Sequence, residues 1–219
     1  MDTEPESEVG QLRPMKSSVS VLSRPDGSAN VCQGNTCVIA AVYGPSEVKM
    51  SKEIIDKATV EVTFKPKTGL PGCAEKLEER LLRNTCETVI LAALHPRSSI
   101  SIIVQELQNS GSLLATSVNA ACLALLDACV PMKCIAAAVC AIIDADGQIQ
   151  LDPTELQEKT ASAWVTFAFD SKNFDVITVK TSGIFTQEQF QSCLLACREA
   201  SKSVFKFYRD AMEKKLSKS

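Results

Sequence analysis

The sequence predicts an α+β fold, mixed sheets with helices packed on them, from three observations. Short runs alternate apolar and polar residues between turn signals, the pattern of half-buried strands. Longer segments instead carry apolar residues at helical spacing. Their order is strands, helix, strand, helix, strands and a last helix, which reads as two loosely duplicated halves. At 219 residues the halves can share one core.

Residues 17–23 alternate and end in the tight turn Arg24-Pro25-Asp26-Gly27. Residues 29–32 and 36–43 form a hairpin about Gln33-Gly34-Asn35, and Gly44-Pro45 should stop the second strand because proline has no N–H for a ladder. Residues 58–64 then complete an antiparallel meander. A loop rich in Pro, Gly and Lys, 65–72, leads into a helix over 73–94 whose core face is Leu82, Cys86, Val89, Ile90 and Ala93. A strand over 98–107 reaches the turn at Ser110-Gly111.

The helix over 112–128 is apolar nearly all round and should therefore be central, with Ser112 as its N-cap and Val130-Pro131 closing it. A continuous buried strand, 134–143, turns through Asp144-Ala145-Asp146-Gly147 into 148–151. Strands follow at 161–169 and 175–181. The last helix, 186–215, buries Phe190, Cys193, Leu194, Cys197, Val204, Phe207 and Ala211, and Thr186 with Gln189 has the form of a capping box.

Composition narrows the function. A hydrophobic share of 45% with 22% charged residues is that of a soluble globular chain. No apolar run has the length of a membrane span, and the start lacks the order of a signal peptide. Residues 1–16 read as a disordered acidic leader, with the folded domain over 17–219. A net charge of −3 argues against a general nucleic-acid coat but leaves room for a local basic patch. Ten cysteines include no Cys-x-x-Cys pair, and the sole histidine, His95, precedes Pro96, so neither metal nor cofactor is expected. Cys122, Cys129, Cys134, Cys140, Cys193 and Cys197 lie in apolar segments and are expected as buried, reduced thiols of an intracellular protein.

Two places carry functional promise. At Gly111, Ser112 and Leu113 a turn feeds a helix start, where free backbone N–H groups make an anion cradle, yet Leu113 supplies no cation. Lys76, Arg80 and Arg83 recur at i, i+4 and i+7 among Glu75, Glu78, Glu79 and Glu87, with Lys65 and Lys67 in the preceding loop. Pattern alone makes that helix face a solvated one laced with weak ion pairs. Asp152 is expected to turn the chain before Pro153 and cap 154–159, and Asp127 to bond locally at a helix end. Lys206, Arg209, Lys214, Lys215 and Lys218 should favour the negative end of the last helix, with nucleic-acid contact the lesser alternative.

Several strings together resemble the RNase PH family over most of the chain: Arg24-Pro-Asp-Gly-Ser, Gln33-Gly34-Asn35-Thr36 and Tyr43-Gly44-Pro45, the helix bearing Arg80 and Arg83, and Gly111-Ser112 with Asn119-Ala-Ala, Leu126-Asp-Ala and Val130-Pro-Met. The resemblance implies a duplicated fold of the ribosomal protein S5 domain 2 type. It implies a place among RNase PH-like exosome subunits in a six-membered hetero-oligomeric ring with cap subunits, RNA threading the pore, and residence in nucleus, nucleolus and cytoplasm. Active members of the family shorten RNA from its 3′ end with phosphate as nucleophile, which needs cations against charge repulsion and acidic residues for proton transfer or metal.

Carried over residue by residue, the family's arginine after Gly-Ser is Leu113 here; Asp152 is kept, but Thr154 and Ser162 stand where further carboxylates are expected. The resemblance therefore implies a non-catalytic, structural and RNA-guiding subunit, with Lys65, Lys67, Lys76, Arg80 and Arg83 on RNA phosphates. Its rivals are a phosphate- or metal-dependent nuclease acting as a homo-oligomer, and an α+β binding domain unrelated to RNA.

Overall fold

Two sheets close on one central helix. The computed structural model describes residues 12–144 and 147–217; the acidic stretch at 1–8, the turn residues Ala145 and Asp146, and Lys218 lie outside the described residues. The first sheet holds β1 (Met15–Val19), β2 (Gly27–Gln33), β3 (Thr36–Glu47), β4 (Thr59–Lys65) and β5 (Ser98–Gln108), in the order β1-β2-β3-β5-β4. Helix α1 (Cys73–Val89) links β4 to β5, and α2 (Leu113–Asp127) follows. The second sheet, β7-β6-β8-β9, is built from β6 (Ala136–Ile143), β7 (Ile149–Leu151), β8 (Ala163–Asp170) and β9 (Val176–Gly183). A short α3 (Glu155–Thr160) follows β7, and α4 (Gln187–Leu216) ends the described chain.

The first sheet is not the expected meander. β4 pairs with β5 in parallel, and β5 sits between β3 and β4. A parallel pair needs a crossover, which α1 provides. β3 also runs past Gly44-Pro45 to Glu47, because its register with β5 shifts between Tyr43 and Ser46 and asks no N–H of Pro45. Folding begins ahead of residue 17: β1 starts at Met15, and Ser20 turns with φ 56°. α1 ends at Val89 instead of Leu94. Ile90 bridges to Met132, a 3-10 turn spans Ala92–Leu94, and Ala93 is consequently exposed.

α2 is buried from Leu114 to Leu125 on all sides. It packs on β2 and β3 of one sheet and β6 of the other. Ala115, Ala120, Ala121 and Ala124 are at most 1% exposed, so small side chains let both sheets approach the helix. Asn119 replaces apolar contact with a polar lock. Its amide nitrogen donates to Ala138 O (3.0 Å), its carbonyl oxygen accepts from Ala138 N (2.8 Å), and Tyr208 Oη donates to the same oxygen (2.8 Å). α2, β6 and α4 are thereby joined, and the Asn119 amide and Tyr208 hydroxyl are buried with partners.

Asp127 ties down the far end of α2. It accepts from Ser20 Oγ (2.8 Å), Ser28 N (2.8 Å) and Lys215 Nζ (2.6 Å), a wider reach than the local bond expected. Burial would raise its carboxyl, but Lys215, Ser28 and Ser20 outweigh that and hold it below the usual range.

The cysteines divide. Burial pushes the Cys86, Cys122 and Cys140 thiols up to about 12, which leaves them inert. Cys193 and Cys197 are buried on α4 as expected. Cys129 is exposed and Cys134 half-buried, because both lie in the connection after α2 and outside any regular element. Cys32 and Cys37 depart from the expected reduced state. Hairpin register sets them directly opposite with Cα atoms 4.1 Å apart, and a disulfide joins them.

Because α2 has no free side, Ala121→Phe is expected to cost about 1–3 kcal/mol or more by overpacking. Chemical denaturation measures it, and a midpoint equal to the parent's would show that α2 is not enclosed.

Candidate anion and nucleic-acid sites

Gly111 has a φ of 97°, and a Cβ there would lie 2.4 Å from Pro153 O, so only glycine fits the approach into α2. Ser112 follows at φ 55°, also left-handed, and its side chain does not cap the helix as expected. Two consecutive left-handed residues turn Ser112 Oγ back to donate to Pro153 O at 3.3 Å. Its backbone N–H, the group an oxyanion would use, donates to Glu158 Oε1 at 2.7 Å. A carboxylate from α3 therefore already takes up that amide. Burial raises the Glu158 carboxyl, against the opposing pull of the Ser112 amide, Arg13 and Lys180.

The turn is held from below by Arg13. Its Nε and backbone N donate to Asp152 Oδ2 (2.9 and 3.0 Å), and Nη2 donates to Oδ1 (2.7 Å). The same guanidinium donates to Ser110 O (3.1 Å) and Gly111 O (3.4 Å). Thr36 completes the stitch by donating to Gly111 O (2.6 Å) and accepting from Ser110 N (3.1 Å). Asp152 is thus a fully buried ion-pair partner. The expected capping of α3 falls instead to Thr154, whose N–H donates to Gln157 Oε1 at 2.9 Å.

Beside this turn is a cavity of about 130 Å³, lined among others by Asn109, Leu113, Glu158, Trp164, Lys180 and Glu78. Lys180 is the one lysine or arginine in that lining, and it is already engaged. Its Nζ lies 3.1 Å from Glu78 Oε1 and 4.8 Å from the centre of the Trp164 ring. Two carboxylates against one engaged ammonium make the cavity unwelcoming to phosphate. Of the expected site residues, Ser112 and Leu113 line it, and Gly111 does not. Thr154 and Ser162 are not in its lining.

Arg13, Glu158, Trp164 and Lys180 were not legible in the sequence. Arg13 lay within the expected leader, and nothing local marks its partner 139 positions away. For Glu158 one signal existed, a short polar helix directly after Pro153.

Lys65, Lys67, Lys76, Arg80 and Arg83 are all exposed. Glu79 ties α1 to β4 by accepting from Phe64 N (3.1 Å) while pairing with Lys76 (2.8 Å), which sets Lys76 beside the strand that ends in Lys65. Arg83 Nε stands 3.9 Å from Glu87, and Arg80 forms no ion pair among the described residues. Such exposed pairs contribute little and exchange readily for a phosphate. Glu78 carries α1 from this patch to the cavity. Among the described residues, no group of three or more His, Cys, Asp or Glu side chains is placed to hold a metal ion, and no helix is long and apolar enough to cross a membrane.

The fold and this seam between two half-domains define a family. Residues 11–131 match domain 1 and residues 133–200 match domain 2 of the 3′ exoribonuclease family, RNase PH. The chain belongs to the RNase PH family. Among its relatives, the exosome complex exonuclease RRP46 homolog of Arabidopsis thaliana is 36% identical, covering 95% of this chain and 94% of its own. The crystal structure of rice (Oryza sativa) Rrp46 has a TM-score of 0.91 at 34% identity, over 95% of this chain and 98% of that one. A chain of the Archaeoglobus fulgidus exosome, solved with RNA bound to the active site, shares the fold with a TM-score of 0.79 at 17% identity, over 91% of this chain and 89% of that one.

Arg13→Ala strands the buried Asp152 carboxylate and should cost roughly 3–5 kcal/mol. Urea unfolding reads this directly, and an unchanged midpoint would show that the clamp does not support the turn.

Proposed function

We propose that this chain is a structural, RNA-guiding subunit of an exosome ring, supporting 3′-to-5′ RNA processing and degradation without performing phosphorolysis itself. One observation carries this: the Glu158 carboxylate sits on the Ser112 amide, with Leu113 next in the chain. A phosphate nucleophile would have to displace that carboxylate and then approach a phosphodiester with no unpaired cation in the cavity lining. The relatives named for the exosome support the assembly, with neighbouring RNase PH-like subunits and cap subunits as partners. Exposed Met50 (91%), Ile55 (67%) and Leu94 (57%) are the kind of surface such neighbours cover. Work in nucleus, nucleolus and cytoplasm accompanies this role and is checked by imaging a tagged chain.

RNA guidance rests on Lys65, Lys67, Lys76, Arg80 and Arg83. Exposed cations grip backbone without regard to sequence, as a pore for any transcript requires. The rival, a phosphate- or metal-dependent nuclease acting as a homo-oligomer, draws on Glu78 and Glu158 lining one cavity.

One assay separates the two. The purified chain, given oligoadenylate with orthophosphate or with magnesium, should release no nucleotides. Leu113→Arg with Glu158→Gln should bring measurable phosphate binding by calorimetry where the parent shows none. Nucleoside diphosphates accumulating with the unaltered chain would overturn the proposal. Separately, Arg80→Glu with Arg83→Glu should weaken RNA binding by the assembled ring and flatten its salt slope by about 1.4, at roughly 0.7 per single-strand phosphate contact. An unchanged slope would remove those side chains from the RNA path.

A further inference from the structure

A second basic surface lies away from the cavity, on α4. Arg198, Lys202, Lys206 and Arg209 are all exposed and, at 100° per residue, share one narrow stripe of the helix. The stripe runs about 16 Å along the axis at 1.5 Å per residue. It borders a groove of about 790 Å³ whose lining includes Lys202, Lys206, Arg209, Phe174, Phe205 and Met212.

The groove is built with aromatic rings beside the cations. Phe174 sits at the β8–β9 turn with φ 58°, a conformation unusual for a bulky residue. Arg198 braces that turn by donating to Asn173 O at 2.8 Å. The Phe174 ring meets Phe205 edge-on with centroids 5.8 Å apart, and Lys202 Nζ stands 5.9 Å from its centre. Both rings remain half-exposed.

Acidic neighbours are present. Glu199 pairs with Lys202, and Asp210 and Glu213 lie at the far end of the groove. The Lys202–Glu199 pair is exposed on both sides (54% and 73%), so a phosphate can replace the carboxylate.

We infer that this groove is a second contact site for single-stranded RNA, its phosphates along the α4 stripe and one base against Phe174 and Phe205. Cations in a row supply sequence-independent attraction, and half-exposed rings supply stacking that any base can use. An acidic peptide would satisfy the cations but make no use of the rings, which is why RNA is the occupant favoured. The inference rests on RNA being this chain's ligand but not on the α1 patch.

The test is fluorescence anisotropy with the full chain and a short labelled oligouridine across a salt series. Lys202→Glu, Lys206→Glu and Arg209→Glu together should weaken binding at least tenfold at low salt and flatten the salt slope by about 2. Phe174→Leu, which keeps apolar packing against Phe205, should weaken binding about fivefold or more with the slope unchanged. Photocrosslinking with 4-thiouridine should label the Phe174 or Phe205 peptide, and should still do so after Arg80→Glu with Arg83→Glu, which isolates this site from the α1 patch. Parental affinity and slope in the triple variant, or crosslinks confined to α1 and its preceding loop, would overturn the inference. So would oligoglutamate occupying the groove while oligouridine does not.

Discussion

The enclosure of α2 is the constraint on which the other features depend. A helix packed by sheets on two sides cannot present a polar face, so its sequence reduces to alanine, leucine and a few small polar residues. Asn119 is tolerated there because β6 and Tyr208 bond both its amide oxygen and its amide nitrogen. Once the helix is fixed, both its ends emerge at the seam between the sheets. One end is tied by Asp127 to Ser20, Ser28 and Lys215, and the other is the glycine turn held by Arg13 and Thr36.

That second end is where chemistry would be placed. An α-helix start concentrates unpaired N–H groups and the positive end of the dipole, and the surrounding family fold brings a second-half segment over it. In this chain the segment delivers a carboxylate. Leu113 and Glu158 belong together physically: Leu113 adds no cation, Arg13 and Lys180 are already paired, and the Ser112 amide is satisfied by an internal anion. The same seam makes Asp152 structural, since Arg13 uses both of its oxygens.

Surface charge is unevenly placed on the molecule. The cavity has more acid than base in its lining, while basic side chains gather on α1 and along α4. A chain with net charge −3 therefore still offers local positive tracks, because binding follows where charge is placed.

Much of the fold was written locally. Alternation fixed most strands to within a few residues, Thr186 and Gln189 marked the start of α4, and the small and apolar residues nearly all round α2 announced its burial. The missing cation at Leu113 was equally plain. What the sequence could not reveal were contacts made across great separations. β5 inserts between β3 and β4 because α1 allows a parallel return; Arg13 finds Asp152, and Glu158 finds Ser112, only once both sheets have closed on α2. Periodicity and turn chemistry act over a few residues and so can be read along the chain. Which buried charge meets which partner is decided by the packing of whole elements, and that exists only in three dimensions.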